Sequence, residues 1–208
     1  MEKIGKVGKA TVREALYVPV EQGSVFIYKV KSDGVKLFFK DFYVATFDNT
    51  QDEEPWGVGH TPVEALKTAE REWERINDKY DYDEEEYRNP FREALENLQQ
   101  MVVGETTSEV TVKEVLNESD VFVYKIENDD DNLYFGDFYV VTFDGVRGEV
   151  AWGVGGSPKT GLENAEREWD RKMRGYVNPF KEALEKLKES NNILLNCRIS
   201  FQSMSFFV

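Results

Sequence analysis

The segment Asp41-Phe42-Tyr43-Val44-Ala45-Thr46-Phe47-Asp48 returns as Asp137-Phe138-Tyr139-Val140-Val141-Thr142-Phe143-Asp144, at an offset of 96 residues. The same offset relates Trp56-Gly57-Val58-Gly59 to Trp152-Gly153-Val154-Gly155, and Ala69-Glu70-Arg71-Glu72-Trp73 to Ala165-Glu166-Arg167-Glu168-Trp169. The spacing between elements is thus repeated together with the residues. A period this long describes a doubled domain, not the short units of a solenoid. We divide the chain into repeat unit 1 (7–101), repeat unit 2 (102–190) and an apolar extension (191–208).

Within each unit the patterns change from strand to helix. Val25 to Val30 and Val121 to Ile126 are apolar runs rich in β-branched and aromatic residues, and Phe42 to Phe47 follows a period of two. The stretches Thr11–Val18 and Val110–Leu116 lean the same way. A short strand carries Trp56 and Val58. Helix then begins at Thr61-Pro62-Val63-Glu64, a capping box with proline at the first helical position, and at Ser157-Pro158 in the second unit. Leu66, Ala69, Trp73 and Ile76, and later Leu162, Ala165, Trp169 and Met173, trace one apolar stripe. Glu70, Arg71, Glu72, Glu74 and Arg75 fall mostly off that stripe and are expected in solvent. A second helix starts at Asn89-Pro90-Phe91 and Asn178-Pro179-Phe180. The acidic, tyrosine-containing segment between the helices of unit 1 is expected to be an exposed loop.

Each unit therefore reads β-β-β-α-α. The expected fold is α+β: two tandem copies of a two-layer unit, each an antiparallel sheet of three to four strands with helices on one face. The opposite sheet faces need a cover, because their Phe and Tyr residues would otherwise form a large exposed apolar patch. Packing of the units on each other, or joining of their edge strands, would supply it.

Phe42-Tyr43-Val44-Ala45-Thr46-Phe47, followed by an acidic turn and then Trp56-Gly57-Val58-Gly59-His60-Thr61-Pro62-Val63-Glu64-Ala65-Leu66 with Ala69, resembles the small HicB-type antitoxin domain. That family runs a tyrosine-containing strand, a short glycine-containing strand and a helix with Thr, Glu-Ala and Ala in this order. The match covers about 35 residues of each unit, and Asp48 stands where the family has a proline. The resemblance implies a small α+β fold and protein–protein binding. Read from Asn89 onward, the order helix, three strands, helix is similar to the double-stranded RNA-binding fold. Val63-Glu64 and Lys159-Thr160 replace the lysine cluster with which that family grips phosphates, so the resemblance does not extend to duplex binding.

Composition removes several classes of function. The net charge of −14 is spread evenly over both units and argues against a double-stranded nucleic-acid partner. A single cysteine, Cys197, excludes an internal disulfide framework and a Cys-rich zinc site, and a single histidine, His60, makes a His-based metal cage or a Ser-His-Asp triad hard to assemble. No leader pattern opens the chain and no apolar run is long enough for a bilayer, so a cytoplasmic protein without membrane contact is expected. No catalytic residue, metal ligand or cofactor is assigned.

Candidate sites are few. Trp56 and Trp152, with Tyr43 and Tyr139, could offer stacking faces to a base or small ligand, although repeated aromatics are more often core. Gly59, Thr61, Gly155 and Ser157 surround helix N-termini, where amides favour an anion; tight strand-to-helix turns explain the same glycines. Asp41, Asp48, Asp137 and Asp144 could form a carboxylate pair for hydrolysis, or simply end strands. His60 has Gly156 as its counterpart and is assigned no role. The leading expectation is a non-enzymatic binding protein that contacts another protein or itself through a sheet face or edge. The alternatives are a single-stranded nucleic-acid or small-ligand binder using the Trp/Tyr pairs, and a carboxylate-based hydrolase.

Overall fold

The computed structural model describes residues 7–32, 40–48, 54–77, 88–98, 102–128, 133–144 and 150–189. The apolar extension 191–208 and the acidic segment 78–87 lie outside the described residues. Strands β1 (Val7–Val20), β2 (Gly23–Ser32), β3 (Phe42–Phe47) and β4 (Gly57–Gly59) precede helices α1 (Pro62–Asn77) and α2 (Pro90–Glu96). Strands β5 (Val102–Val103), β6 (Thr107–Glu118), β7 (Val121–Glu127), β8 (Phe138–Phe143) and β9 (Val150–Gly155) follow, then helices α3 (Pro158–Lys172) and α4 (179–189).

The expectation of two tandem two-layer units, each with its own sheet, is overturned. Among the described residues all strands belong to one antiparallel sheet in the order β4-β3-β2-β1-β6-β7-β8-β9, with β5 also pairing β1. The joint is β1 against β6, in register from Val7 opposite Lys113 to Arg13 opposite Thr107. The two ends of the sheet come round to each other: β4 and β9 have Cα atoms within 8 Å, without joining the ladder. The result is a nearly closed barrel-like sheet of eight strands, and pairing and closure together leave few exposed edges.

Burial explains why the sheet curls. Tyr28, Phe42, Tyr124, Phe135 and Phe138 form, with Val12, Val44, Val112 and Val140, one inner cluster drawn from both repeats. The sheet face expected to be open to a partner is therefore filled by side chains of the same chain. The outer face is covered by helices. Val25, Ile27, Ala45 and Phe47 pack on Leu66, Trp73 and Phe91, and Val121, Val123 and Val141 pack on Leu162, Trp169 and Phe180. With both faces covered, β2 and β7 read as nearly continuous apolar runs.

Local devices recur in both halves. Each long strand has a register shift, between Glu14 and Leu16 and between Glu114 and Leu116, which bends it into the curve of the barrel. The β6–β7 hairpin turns on Ser119 (φ 49°) and Asp120 (φ 67°), the doubly left-handed geometry of a tight two-residue hairpin. Asn89 accepts from the amides of Phe91 (3.1 Å) and Arg92 (3.3 Å) and so caps α2; Asn178 accepts from Phe180 (3.0 Å) at the start of α4. Gly57 and Gly153 allow close approach of the first helix. A Cβ on Gly57 would lie 2.3 Å from the Ala65 carbonyl oxygen, and one on Gly153 would lie 2.4 Å from that of Gly161.

Candidate functional site

The seam between β4 and β9 is where the repeats meet a second time, and a pocket of about 170 Å³ opens there. Its floor is Trp56 and Val58 from one repeat and Trp152 and Val154 from the other. Its walls are α1, presenting Thr68, Arg71, Glu72 and Arg75, and α3, presenting Asn164, Arg167, Glu168 and Arg171. Each member has its counterpart 96 positions away, so the lining has local twofold character. A second hollow, of about 250 Å³, shares Trp56, Glu72 and Asn164 and extends towards Glu54, Ile76 and Gly155.

Reciprocal ion pairs cross the pocket. Arg71 Nη2 donates to Glu168 Oε2 at 3.2 Å, and Arg167 Nη2 donates to Glu72 Oε2 at the same distance. Each carboxylate is also gripped from its own helix. Arg75 Nε donates to Glu72 (2.9 Å), Arg171 donates twice to Glu168 (2.9 and 2.6 Å), and Lys172 lies 2.9 Å from Glu168. Thr68 and Asn164 steady the arginines: Arg71 donates to Thr68 Oγ1 (3.1 Å) and Arg167 to Asn164 Oδ1. The expectation that this polar face is solvated fails for Glu72, whose side chain is only 13% exposed, and its counterpart Glu168 is buried as well.

The electrostatics follow from that geometry. Burial works against the charge of Glu168, but hydrogen bonds from Arg171 and Lys172 and the charge of Arg71 outweigh it and hold the carboxyl at about 2. Glu72 is likewise buried, and Arg75 and Arg167 keep it below the usual carboxylate range. Arg75 and Arg171 are raised in turn, each by the hydrogen bond to its glutamate. The lining carries four arginines against two glutamates, a local positive excess in a chain of net charge −14. Among the described residues no hydrogen bond uses Nη1 of any of these four guanidinium groups. The indole Nε1 of Trp56 is buried and has no hydrogen-bond partner among the described residues.

The residues singled out from sequence divide. Trp56 and Trp152 share the pocket floor, each tilted on a core tryptophan, Trp73 (4.7 Å between ring centroids) or Trp169 (4.9 Å). Tyr43 and Tyr139 pack instead at the margins of the two helix-facing cores, and Lys29 Nζ sits 5.7 Å from the Tyr43 ring. At the α1 N-terminus, Thr61 Oγ1 accepts from Glu64 N (3.2 Å) and Glu64 accepts from His60 N (2.9 Å). At α3, Ser157 Oγ accepts from Thr160 N (3.1 Å), and Glu54 Oε2 accepts from Gly156 N (3.0 Å). Side chains of the protein thus engage the amides of His60, Glu64, Gly156 and Thr160, next to the positions singled out for an external anion. Gly59 and Gly155 serve close packing: an added Cβ would lie 2.5 Å from Ala65 N or 2.8 Å from the Thr160 side chain.

The aspartates are engaged singly. Asp41 pairs with Lys29 (3.0 Å) and Asp137 with Lys125 (2.6 Å). Asp48 accepts from Ser24 N (2.8 Å). Asp41 and Asp48 flank opposite ends of β3, roughly 20 Å apart at the rise of a strand, far beyond the spacing of a hydrolytic pair. Among the described residues no cluster of His, Cys, Asp and Glu could hold a metal ion, and no helix is long and apolar enough to cross a membrane.

Sequence reasoning missed the four arginines and two glutamates. Their signal was present: Arg71, Glu72 and Arg75 recur unchanged as Arg167, Glu168 and Arg171, an identity that a merely solvated face does not require. No protein-family model matches the chain, and no curated protein or solved structure is similar to it at a significant level.

Proposed function

We propose that this is a non-catalytic binding protein whose site is the seam pocket, and that its ligand is a small anion. The observation that carries this reading is the convergence of Trp56, Trp152 and four arginines from both repeats on one hollow. A mostly apolar concavity with a few converging polar groups is the usual form of a ligand site. The excess of guanidinium over carboxylate, with donors left over, suits a negatively charged guest. The inner face of the sheet is already filled, which lowers the case for protein binding through it.

In this reading the two seam carboxylates hold the arginines and do not serve as a general base. Glu168, held at about 2 and wrapped by cations, is a poor proton acceptor at neutral pH, since an effective general base is tuned towards the working pH. Glu72 is depressed in the same direction.

The test is a thermal-unfolding screen of the full chain against small organic and inorganic anions, with uncharged compounds of matched size. A ligand at about 100 times its dissociation constant adds roughly 2.7 kcal/mol of stability, a readily measured shift. At least one anion should raise the unfolding midpoint, and the effect should shrink in Trp152→Phe or Arg167→Gln. A flat response to every anion would count against the site.

A further inference from the structure

Resting on the reading of the seam pocket as an anion site, we propose that its ligand class is a small apolar monocarboxylate, of about the size of one aromatic ring. Three observations converge on this. The first is volume. About 170 Å³ is close to the roughly 150 Å³ of an apolar cavity that accepts benzene, and well below the roughly 300–1,000 Å³ of pockets for drug-sized ligands. A nucleotide, with base, sugar and phosphate, exceeds this hollow and would have to run on into the adjoining one of about 250 Å³.

The second is the division of chemistry within the pocket. Trp56, Val58, Trp152 and Val154 make a hydrocarbon floor, whereas the guanidinium groups stand on the helices at the walls. Inorganic phosphate would leave that floor uncovered and wet. A neutral hydrocarbon would leave the arginines without a new partner. A ligand with an apolar body and one carboxylate satisfies both.

The third is the set of donors still available. A carboxylate takes two parallel N–H donors from a guanidinium, and Nη1 of Arg71 and of Arg167 takes part in no hydrogen bond among the described residues. The glutamates need not leave, because each guanidinium has five N–H groups.

Benzoate is a direct probe, with benzyl alcohol as its uncharged counterpart, and inorganic phosphate and a dinucleotide as competitors for the anion site. Each is titrated into the full chain at low salt while tryptophan fluorescence is followed, with Trp56→Phe and Trp152→Phe to assign the signal. Benzoate is expected to bind at least about tenfold more tightly than benzyl alcohol, a difference of about 1.4 kcal/mol. Arg71→Gln/Arg167→Gln should remove that preference; Arg71→Lys/Arg167→Lys, which keeps the charge across the seam, should retain part of it. Equal binding of benzyl alcohol overturns the carboxylate assignment. Tighter binding of phosphate or the dinucleotide overturns the ligand class but leaves an anion site. No response to any probe at millimolar concentration overturns both this inference and the reading on which it rests.

Discussion

Arg71 of the first repeat and Glu168 of the second meet across the seam with Nη2 and Oε2 3.2 Å apart, and Arg167 and Glu72 form the same contact in the reverse sense. This reciprocal clasp ties α1 to α3 where β4 and β9 approach without backbone pairing.

Removing the charge of Glu168 should therefore loosen the seam. In Glu168→Gln, Arg71, Arg171 and Lys172 lose their common counter-charge, and the expected cost is about 1–3 kcal/mol, because the carboxylate is buried while its partners are partly exposed. Arg71→Gln should cost less, below about 1 kcal/mol, as Arg71 is partly exposed and Glu168 keeps two other cations. Urea unfolding followed by circular dichroism compares the two; an equal or reversed ranking would contradict the assignment of Glu168 as the hub.

Acid should act through the same residue. The folded-state pKa of Glu168 is depressed to about 2, against about 4.3 for an unperturbed glutamate, so its contribution is present above the unfolded value and is lost as pH falls through the folded one. Wild-type stability should thus decline between about pH 5 and pH 2 more steeply than that of Glu168→Gln, by roughly 1–3 kcal/mol over the window. Unfolding midpoints measured in both proteins along that range give the difference directly. Parallel curves would mean that the carboxyl is not held as described.

Two glycines near the seam should respond unequally to the same substitution. At Gly57 an added Cβ meets backbone, Ala65 O and Ala69 N both at 2.3 Å, so α1 must lift from the sheet. At Gly156 it meets only the carboxylate end of Glu54, which can swing away. Gly57→Ala is expected to cost about 1–3 kcal/mol or more, and Gly156→Ala less than about 1 kcal/mol. Thermal melts of the two variants decide the matter.

Much of the secondary structure was legible because its signals are local. Proline after Thr61 and Ser157, the asparagine caps at Asn89 and Asn178, and the period-two run from Phe42 all mark elements that the structure contains. Joining of the units' edge strands was one of two expected covers, but which edges meet was not legible, because an alternating pattern does not name its neighbour. Val25 to Val30 did hold a clue: Val25 and Ile27 face the helices while Phe26, Tyr28 and Val30 face inward, so the run is apolar on both sides. The site was half visible. Trp56 and Trp152 were singled out, but the arginines that complete the pocket lie on a helix face that reads as solvated until a second helix is set against it.

The central claim is that the two repeats build one curled sheet and so create the seam. Native-state hydrogen exchange of the amides in residues 8–12 and 108–112, resolved by NMR, tests it most directly. If β1 and β6 pair as described, these amides lie in the middle of the sheet and should be among the slowest to exchange, opening only with global unfolding. Fast exchange there, with protection confined to β2–β3 and β7–β8, would mean two separate sheets and no seam.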